Sequence, residues 1–186
     1  LKKNVRVAEI ARQEFRDLAS DATTQGVVAL VSAQQQYAKL ETLLRIPGER
    51  NQNGLLLILD EIEDPHNLGA LVRTAECAGV HGVIIPKHHS APVTSAVAKA
   101  SAGAVEHIAI AEVTNIVNTI KELRKDGYWI VGLEATGSKL YTEPDYKIAT
   151  AVVVGSEGKG IRRLVKEHCD FLVKIPLYGK IASLNA

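Results

Sequence analysis

Methionine is missing from all 186 residues, position 1 included, which raises the expectation that the sequence is a piece of a longer protein. Cysteine is scarce. Cys77 and Cys169 lie far apart, with no C-x-x-C or zinc-type spacing. That excludes a disulfide scaffold and fits reduced thiols in a cytoplasmic protein. Aromatic residues make up only 4%. No apolar run approaches the ~18 residues of a membrane span. The stretch Leu1-Lys2-Lys3-Asn4-Val5 has no signal-peptide-like apolar region. Neither sign of charge dominates: 22 Lys and Arg face 21 Asp and Glu, for a net +1. A strongly basic RNA-coating protein is thereby excluded, though a local basic patch is not. What is plentiful is aliphatic: 46% of residues are hydrophobic against 23% charged. Such a chain can bury a real core, in one α/β domain plus a small appendage.

Two parts differ in texture. Residues 5–19 carry Val7, Ile10, Ala11 and Leu18 at helical spacing. A short β-like run follows at 26–31, and 36–44 reads as helix. The polar, breaker-rich stretch from Pro47 to Gly54 marks a linker, taken as 45–53. The roughly 44 residues before it are too few to bury much of a core, and are expected to be the tail end of a larger N-terminal domain. From Gly54 onward the pattern is regular. Apolar strands at 55–59, 83–85, 105–110, 128–133, 149–154 and 171–175 alternate with helices at 67–78, 93–100, 115–125 and 160–167. Uniformly apolar strands separated by helices predict a mostly parallel sheet with helices on both faces. Ligands of such sheets bind at the carboxyl ends of the strands.

Three strand ends stand out. After the first strand come Asp64-Pro65-His66-Asn67-Leu68-Gly69, with Arg73 beyond. Asn67 suits a helix N-cap, and positions 66, 69, 70 and 73 share a helix face. Read alone, this is equally a capped helix with a solvated arginine. After the strand 149–154 comes Gly155-Ser156-Glu157-Gly158-Lys159-Gly160. Its glycines permit a tight turn and close backbone approach, but their order matches neither the P-loop nor the dinucleotide fingerprint. Lys159, Arg162 and Arg163 could meet phosphates, or form an ordinary solvated helix face. The last strand leads into Ile175-Pro176-Leu177-Tyr178 and on to Ser183-Leu184-Asn185. No nucleophile elbow is present, and the six histidines show no metal-ligand spacing. Cys77, within an apolar helix, reads as a core thiol.

Taken in order, these segments closely resemble the three motifs of the TrmH (SpoU) family of RNA ribose 2′-O-methyltransferases, in the SPOUT superfamily. Asn67, Gly69 and Arg73 match the first, N-x-G-x-x-x-R. Gly155, Glu157, Gly158 and Gly160 match the second, and Ile175, Pro176, Ser183, Leu184 and Asn185 the third. The resemblance covers residues 54–186. Asp64-Pro65-His66-Asn67, Ala78-Gly79-Val80-His81-Gly82, Lys99-Ala100-Ser101-Ala102-Gly103-Ala104 and Val113-Thr114-Asn115 are most similar to the branch that methylates a guanosine of 23S ribosomal RNA. Thr24-Gln25-Gly26-Val27-Val28-Ala29 resembles the end of that branch's L30e-like RNA-binding domain.

The resemblance implies a C-terminal trefoil knot, a homodimer and a family C-terminal helix that this sequence does not reach. Sequence physics alone would not suggest the knot. It also implies S-adenosylmethionine as cofactor, held by Gly155, Gly158, Ile175, Leu177 and Leu184, and no metal. Arg73, Asn67, Glu157 and Asn185 become the expected catalytic set. Arg73, Lys87, Lys159, Arg162 and Arg163 become the expected RNA contacts. Arg73 has two possible roles, general base or bidentate phosphate clamp. The rival classes are a tRNA ribose methyltransferase of the same family, a non-catalytic RNA-binding module, and a Rossmann dehydrogenase.

Overall fold

The computed structural model describes residues 7–19, 26–28 and 37–179. The chain divides into two compact units, 1–34 and 35–186. In the first, helix α1 spans Arg12–Ala19, shorter than the 5–19 expected. Residues 26–28 are not a strand, and 29–31 lie outside the described residues.

In the second unit, α2 (Leu40–Glu49) is followed by β1 (Leu55–Asp60), α3 (Pro65–Cys77), β2 (Gly82–Pro86) and α4 (Ser95–Ala100). Then come β3 (Ala109–Val113), α5 (Ile116–Lys125), β4 (Trp129–Leu133), β5 (Lys139–Leu140), β6 (Thr150–Gly155), α6 (Arg163–Lys166) and β7 (Phe171–Lys174). The seven strands form one sheet in the order β3-β2-β1-β6-β4-β7-β5, and every pairing is parallel. β7 therefore lies between β4 and β5, two strands that precede it.

Alternation of side chains divides the core in two. Leu56, Ile58, Ile130, Ala151 and Val153 face α2, α5 and α6 through Leu43, Ile120, Leu123 and Val165. Leu57, Leu59, Val83 and Ile85 face α3 and α4 through Leu68, Val72 and Val97. Strands buried on both faces have no polar side to show, which is why their sequences read as continuous apolar runs.

α2 departs from expectation. The sequence puts residues 1–44 in another domain and 45–53 in a linker, whereas the helix runs through Pro47 and Gly48 and belongs to the unit that contains the sheet. Leu43 is wholly buried, against the space left by Gly82, whose added Cβ would lie 2.4 Å from Leu43 Cγ. Burying that leucine is worth about 1.5–3 kcal/mol. Pro47 sits in the last turn, where the missing N–H removes a single helix bond. Arg50 N and Gln52 N close the end on the Ile46 and Pro47 carbonyls.

β3 also starts later than the expected 105–110. Gly103, at φ +85°, turns the chain into a 3₁₀ turn over Ala104–Glu106. Val105 is thus buried with the α3 and α4 side chains and does not enter the sheet. The two-residue β5 was too short to carry a pattern.

Candidate functional site

The strand order reverses between β1 and β6, and their carboxyl ends are level, with Asp60 beside Gly155. A crevice at such a reversal is the usual ligand position of parallel sheets. The first and second motifs leave the sheet from these two adjacent ends.

On the β1 side, Glu61 takes φ +60° and turns the chain out of the strand. The N-cap of α3 is Asp64, not Asn67: its carboxylate accepts from His66 N at 2.6 Å and Asn67 N at 3.2 Å. Pro65 explains the difference, because proline is preorganised for the first helical position. The Asn67 amide is freed from capping and donates from Nδ2 to Glu157 Oε2 at 3.2 Å. Gly69 does not line the crevice. It is buried where α3 meets α4, and an added Cβ would lie 2.5 Å from Ala100 Cβ. Arg73 is exposed on α3, and its side chain makes no hydrogen bond or ion pair with any described residue.

On the β6 side, the turn folds back on the strand end. Gly160 N donates to Ser156 O at 2.9 Å, and Ser156 and Gly160 form an antiparallel bridge. Gly158 and Gly160 take φ +83° and +68°, conformations that favour glycine. A Cβ on Gly155 would lie 2.1 Å from Gly160 C. The close approach anticipated at Gly155 is therefore made by the turn's own backbone. A cleft of about 230 Å³ separates the turn from the β1 loop, bordered by Glu61, Asp64, Asn67, Glu157 and Lys159. A larger cavity of about 550 Å³ lies at the opposite, amino end of the sheet, beside His81.

The cations divide sharply. Arg162 donates through its backbone N, Nε and Nη2 to the fully buried Asp60 at 2.9, 2.8 and 2.6 Å, and Nη1 lies 3.4 Å from Glu61. The hydrogen bonds that Asp60 accepts hold the guanidinium even more firmly protonated than usual. Arg163 pairs with Glu167 one turn along. Arg162 and Arg163, two of the three arginines expected at RNA, are thus occupied by carboxylates of the chain itself. Lys87, just past the carboxyl end of β2, and Lys159, in the turn, are exposed and have no carboxylate partner among the described residues.

Beyond β7, Ile175 and Leu177 are exposed apolar side chains at the same edge of the sheet. Leu184 and Asn185 lie outside the described residues.

Three further residues belong to this region although no motif named them: Asp60, Glu134 and Gly137. Asp60 and Glu134 each end an otherwise apolar run, Leu-Leu-Leu-Ile-Leu-Asp and Trp-Ile-Val-Gly-Leu-Glu. That abrupt charge was the available signal. Gly137 lets the β4–β5 connection lie against β7, where a Cβ would be 2.5 Å from Val173 C.

Both cysteines depart from the simple picture. Cys77 is exposed, not in the core. Cys169 is the half-buried one, beneath Gly132, and burial pushes its thiol up to about 12. Among the described residues no cluster of histidine, cysteine or carboxylates could hold a metal ion. No helix among them is long and apolar enough to cross a membrane.

Residues 54–186 match the family described as SpoU rRNA Methylase family. The chain is 45% identical over 185 residues to YacO of Bacillus subtilis (strain 168), which carries the name of a TrmH family tRNA/rRNA methyltransferase. That match covers all of this chain and 74% of YacO. A protein of the same name from Staphylococcus aureus (strain MSSA476) is 46% identical, over 91% of this chain and 68% of its own. The AdoMet-bound rRNA methyltransferase of Sinorhizobium meliloti superposes with a TM-score of 0.71 at 31% identity, over 81% of this chain and 56% of that one. The SpoU methyltransferase AviRb of Streptomyces viridochromogenes, in complex with AdoMet, gives 0.66 at 26%, over 73% and 53%. The chain thus spans little more than half the length of these two solved chains.

Proposed function

This chain belongs to the SpoU rRNA methylase family, and on that premise we propose that it transfers the methyl group of S-adenosylmethionine to the ribose 2′-hydroxyl of a guanosine in 23S ribosomal RNA. The observation that carries the reading is the junction of the first two motifs at neighbouring strand ends. There Asn67 and Glu157 hydrogen-bond across the crevice, and the Arg73 fork, without a partner among the described residues, stands on the same helix as Asn67.

The residues present suit the cofactor. Ile175 and Leu177 offer exposed apolar surface at the carboxyl edge, and the Gly158 position is open, with no atom within 4 Å of an added Cβ. An adenine ring needs such an apolar slot and a few backbone hydrogen bonds. Gly155, Gly158, Ile175 and Leu177, with Leu184, would hold it. When bound, the cofactor supplies an electrophilic sulfonium methyl group.

The protein's own part is to bring the 2′-oxygen into line and hold it there. Arg73 acts as the phosphate clamp. A guanidinium is a poor base, whereas an exposed fork with no carboxylate partner among the described residues is free to grip a phosphate bidentately. Asn67, held by Glu157, faces the ribose, and Asn185 completes the set. The cleft opens to water, which would take the hydroxyl proton. Lys87 and Lys159 extend the phosphate track at the same edge.

β7 between β4 and β5 is the position of a segment passed through the β4–β5–β6 connection, which supports the trefoil knot. A net charge of +1 makes a single subunit a poor electrostatic match for RNA, which favours a homodimer whose RNA site draws cations from both subunits, and two distant cysteines fit the cytoplasm. Transfer of tritiated methyl from S-adenosylmethionine to unmodified ribosomal RNA, with the product mapped to one guanosine, tests the reading. Label in tRNA alone would replace the substrate with the family's other class. No label in either RNA would defeat it.

A further inference from the structure

Asp60, Gly155 and Glu134 form a row across three neighbouring strands. β1 pairs with β6 so that Asp60 stands beside Gly155. On the other side β4 pairs with β6 up to Leu133 beside Val154, so Glu134 comes level with Gly155. All three continue the same face of the sheet, because Ile58, Val153 and Ile130, each one alternation or two earlier, share one core cluster.

The middle of the row is empty of side chain, and the returning turn sits in that space. An ideal Cβ on Gly155 would lie 2.1 Å from Gly160 C and 2.2 Å from Ile161 N. The two acids grip what comes next. Asp60, wholly buried, takes the backbone N–H and the guanidinium fork of Arg162, the residue that opens α6. Glu134 lies 2.7 Å from the ammonium of Lys166, the last residue of α6. That Glu134 oxygen is buried and lacks a well-directed hydrogen bond, so charge and not direction holds the second pair. The carboxylate also fills the space beside Gly160, 3.1 Å from where a Cβ would stand. The turn and its helix are therefore pinned on both sides of β6.

Buried ions are an expensive way to end a strand. An apolar residue would cost no desolvation, and replacing a buried pair by apolar residues is often neutral or stabilising. What the acids provide, and an apolar residue would not, is a fixed address for two particular residues of the turn. The turn has a further tie across the crevice, the exposed Asn67–Glu157 hydrogen bond at 3.2 Å, which is too weak to place it alone.

We propose that Asp60 and Glu134 are positioning residues for methyl transfer. They hold the 155–162 turn, and Glu157 with it, in register with Asn67 and Arg73. This role rests on the reading of the site as a methyltransferase. Neither acid touches substrate or cofactor. Each acts through the turn.

The full-length protein is compared with its Asp60→Asn and Glu134→Gln variants, which keep side-chain volume and remove charge. Hydrogen exchange over residues 155–168 reports the turn directly, without cofactor. Calorimetry with S-adenosylhomocysteine reports the site, and initial rates on RNA separate kcat from KM. Faster exchange in the turn, S-adenosylhomocysteine affinity weakened about tenfold, and a rise in the cofactor KM larger than the fall in kcat are expected. Unchanged exchange would show that the acids do not hold the turn. Faster exchange with unchanged affinity and rates would reduce them to structural anchors. Either result overturns the proposal. If wild type itself fails to bind S-adenosylhomocysteine, the methyltransferase reading falls and takes the proposal with it. That failure shows in the wild type, whereas failure of the positioning role shows only in the variants. Should Asp60→Asn not fold, Arg162→Lys keeps the charge, loses the fork at a half-exposed position, and carries the same expectations.

Discussion

Replacing Gly155 by alanine adds one methyl group, and the structure says where it must go. The new Cβ would lie 2.1 Å from Gly160 C, 2.2 Å from Ile161 N and 2.3 Å from Gly160 O. Ordinary contact between such atoms is roughly 3.5 Å, so the turn must retreat by more than about 1 Å. The neighbour is backbone, so no rotamer change can relieve the overlap. Inserting a methylene-sized group into a packed site costs about 1–3 kcal/mol. For a chain of this size that lowers the melting temperature by roughly 2–12 °C. The functional effect is larger, because a displacement of about 1 Å in a positioned site can cost about a hundredfold in rate. Gly158→Ala is the matched comparison. Its added Cβ meets nothing within 4 Å, but φ is +83°. In the free protein the expected cost is the left-handed conformation alone, about 1–2 kcal/mol, with the turn in place, so any loss of affinity there comes from one methyl group at the cofactor and not from the turn. Thermal unfolding gives the stability of each variant, and calorimetry with S-adenosylhomocysteine gives the site. Gly155→Ala is expected to lose at least tenfold more affinity than Gly158→Ala at similar stability. Equal affinities in two folded variants would refute the argument that the Gly155 contact sets the turn.

Arg73→Ala is expected to lower turnover by about a hundredfold or more, with S-adenosylhomocysteine affinity within about twofold of wild type, and lysine is not expected to restore it. Near-normal turnover in either variant would remove Arg73 from the mechanism. His81 is buried, with Nδ1 accepting from Leu55 N at 3.0 Å and Nε2 within 2.9 Å of Gln52 Oε1. Burial, the largest cause, holds it below the usual 6.5 and outweighs the opposing Leu55 backbone contact, while Arg50 adds the smallest effect, also downward. The unfolded chain therefore binds a proton that the folded chain resists. Stability from this group is full above pH 6.5 and lost as pH falls below it toward the folded value. Denaturant melts between pH 7.5 and 5 are expected to show a loss that His81→Gln lessens, and an identical slope in that variant would assign the loss elsewhere. Cys77 is expected to react with a thiol reagent in the native protein at pH 8, and Cys169 only on unfolding, because burial pushes its thiol up to about 12. Two equivalents of label in the native state would contradict that order.

The sheet was legible because a strand covered on both faces has no polar side to confuse the pattern, as in Leu55–Leu59. Less legible were features decided by a single neighbour in space. Pro47 and Gly48 read as a linker, since no local rule records that Leu43 is buried against Gly82. Asn67 read as the cap because its side chain suits that position, whereas Asp64 takes it in the structure, with Pro65 at the first helical position. Gly69 read as sharing a helix face with Arg73, while its use is the contact with Ala100, about 30 positions away. The cations were hardest. Lys159, Arg162 and Arg163 look interchangeable in a string, but Arg162 belongs to Asp60 across more than half the chain. Charge partners at that separation leave no periodicity to detect. The motifs themselves were found through family resemblance, and the geometry adds how the first two meet.

The strand order also bears on how the chain is made. β1, β2 and β3 are neighbours in sequence and in space, and this half of the sheet is complete by Val113. The partner on the other side of β1 is β6, where Leu55 meets Thr150. During synthesis at roughly 5–20 residues per second, the apolar edge Leu55–Asp60 waits several seconds for that strand. An unpaired hydrophobic edge is a template for wrong pairing between nascent chains. Because the crevice lies at the β1–β6 seam, the same wait makes the site the last part of the sheet's centre to assemble. A half-made chain lacks the crevice and leaves that edge unpaired.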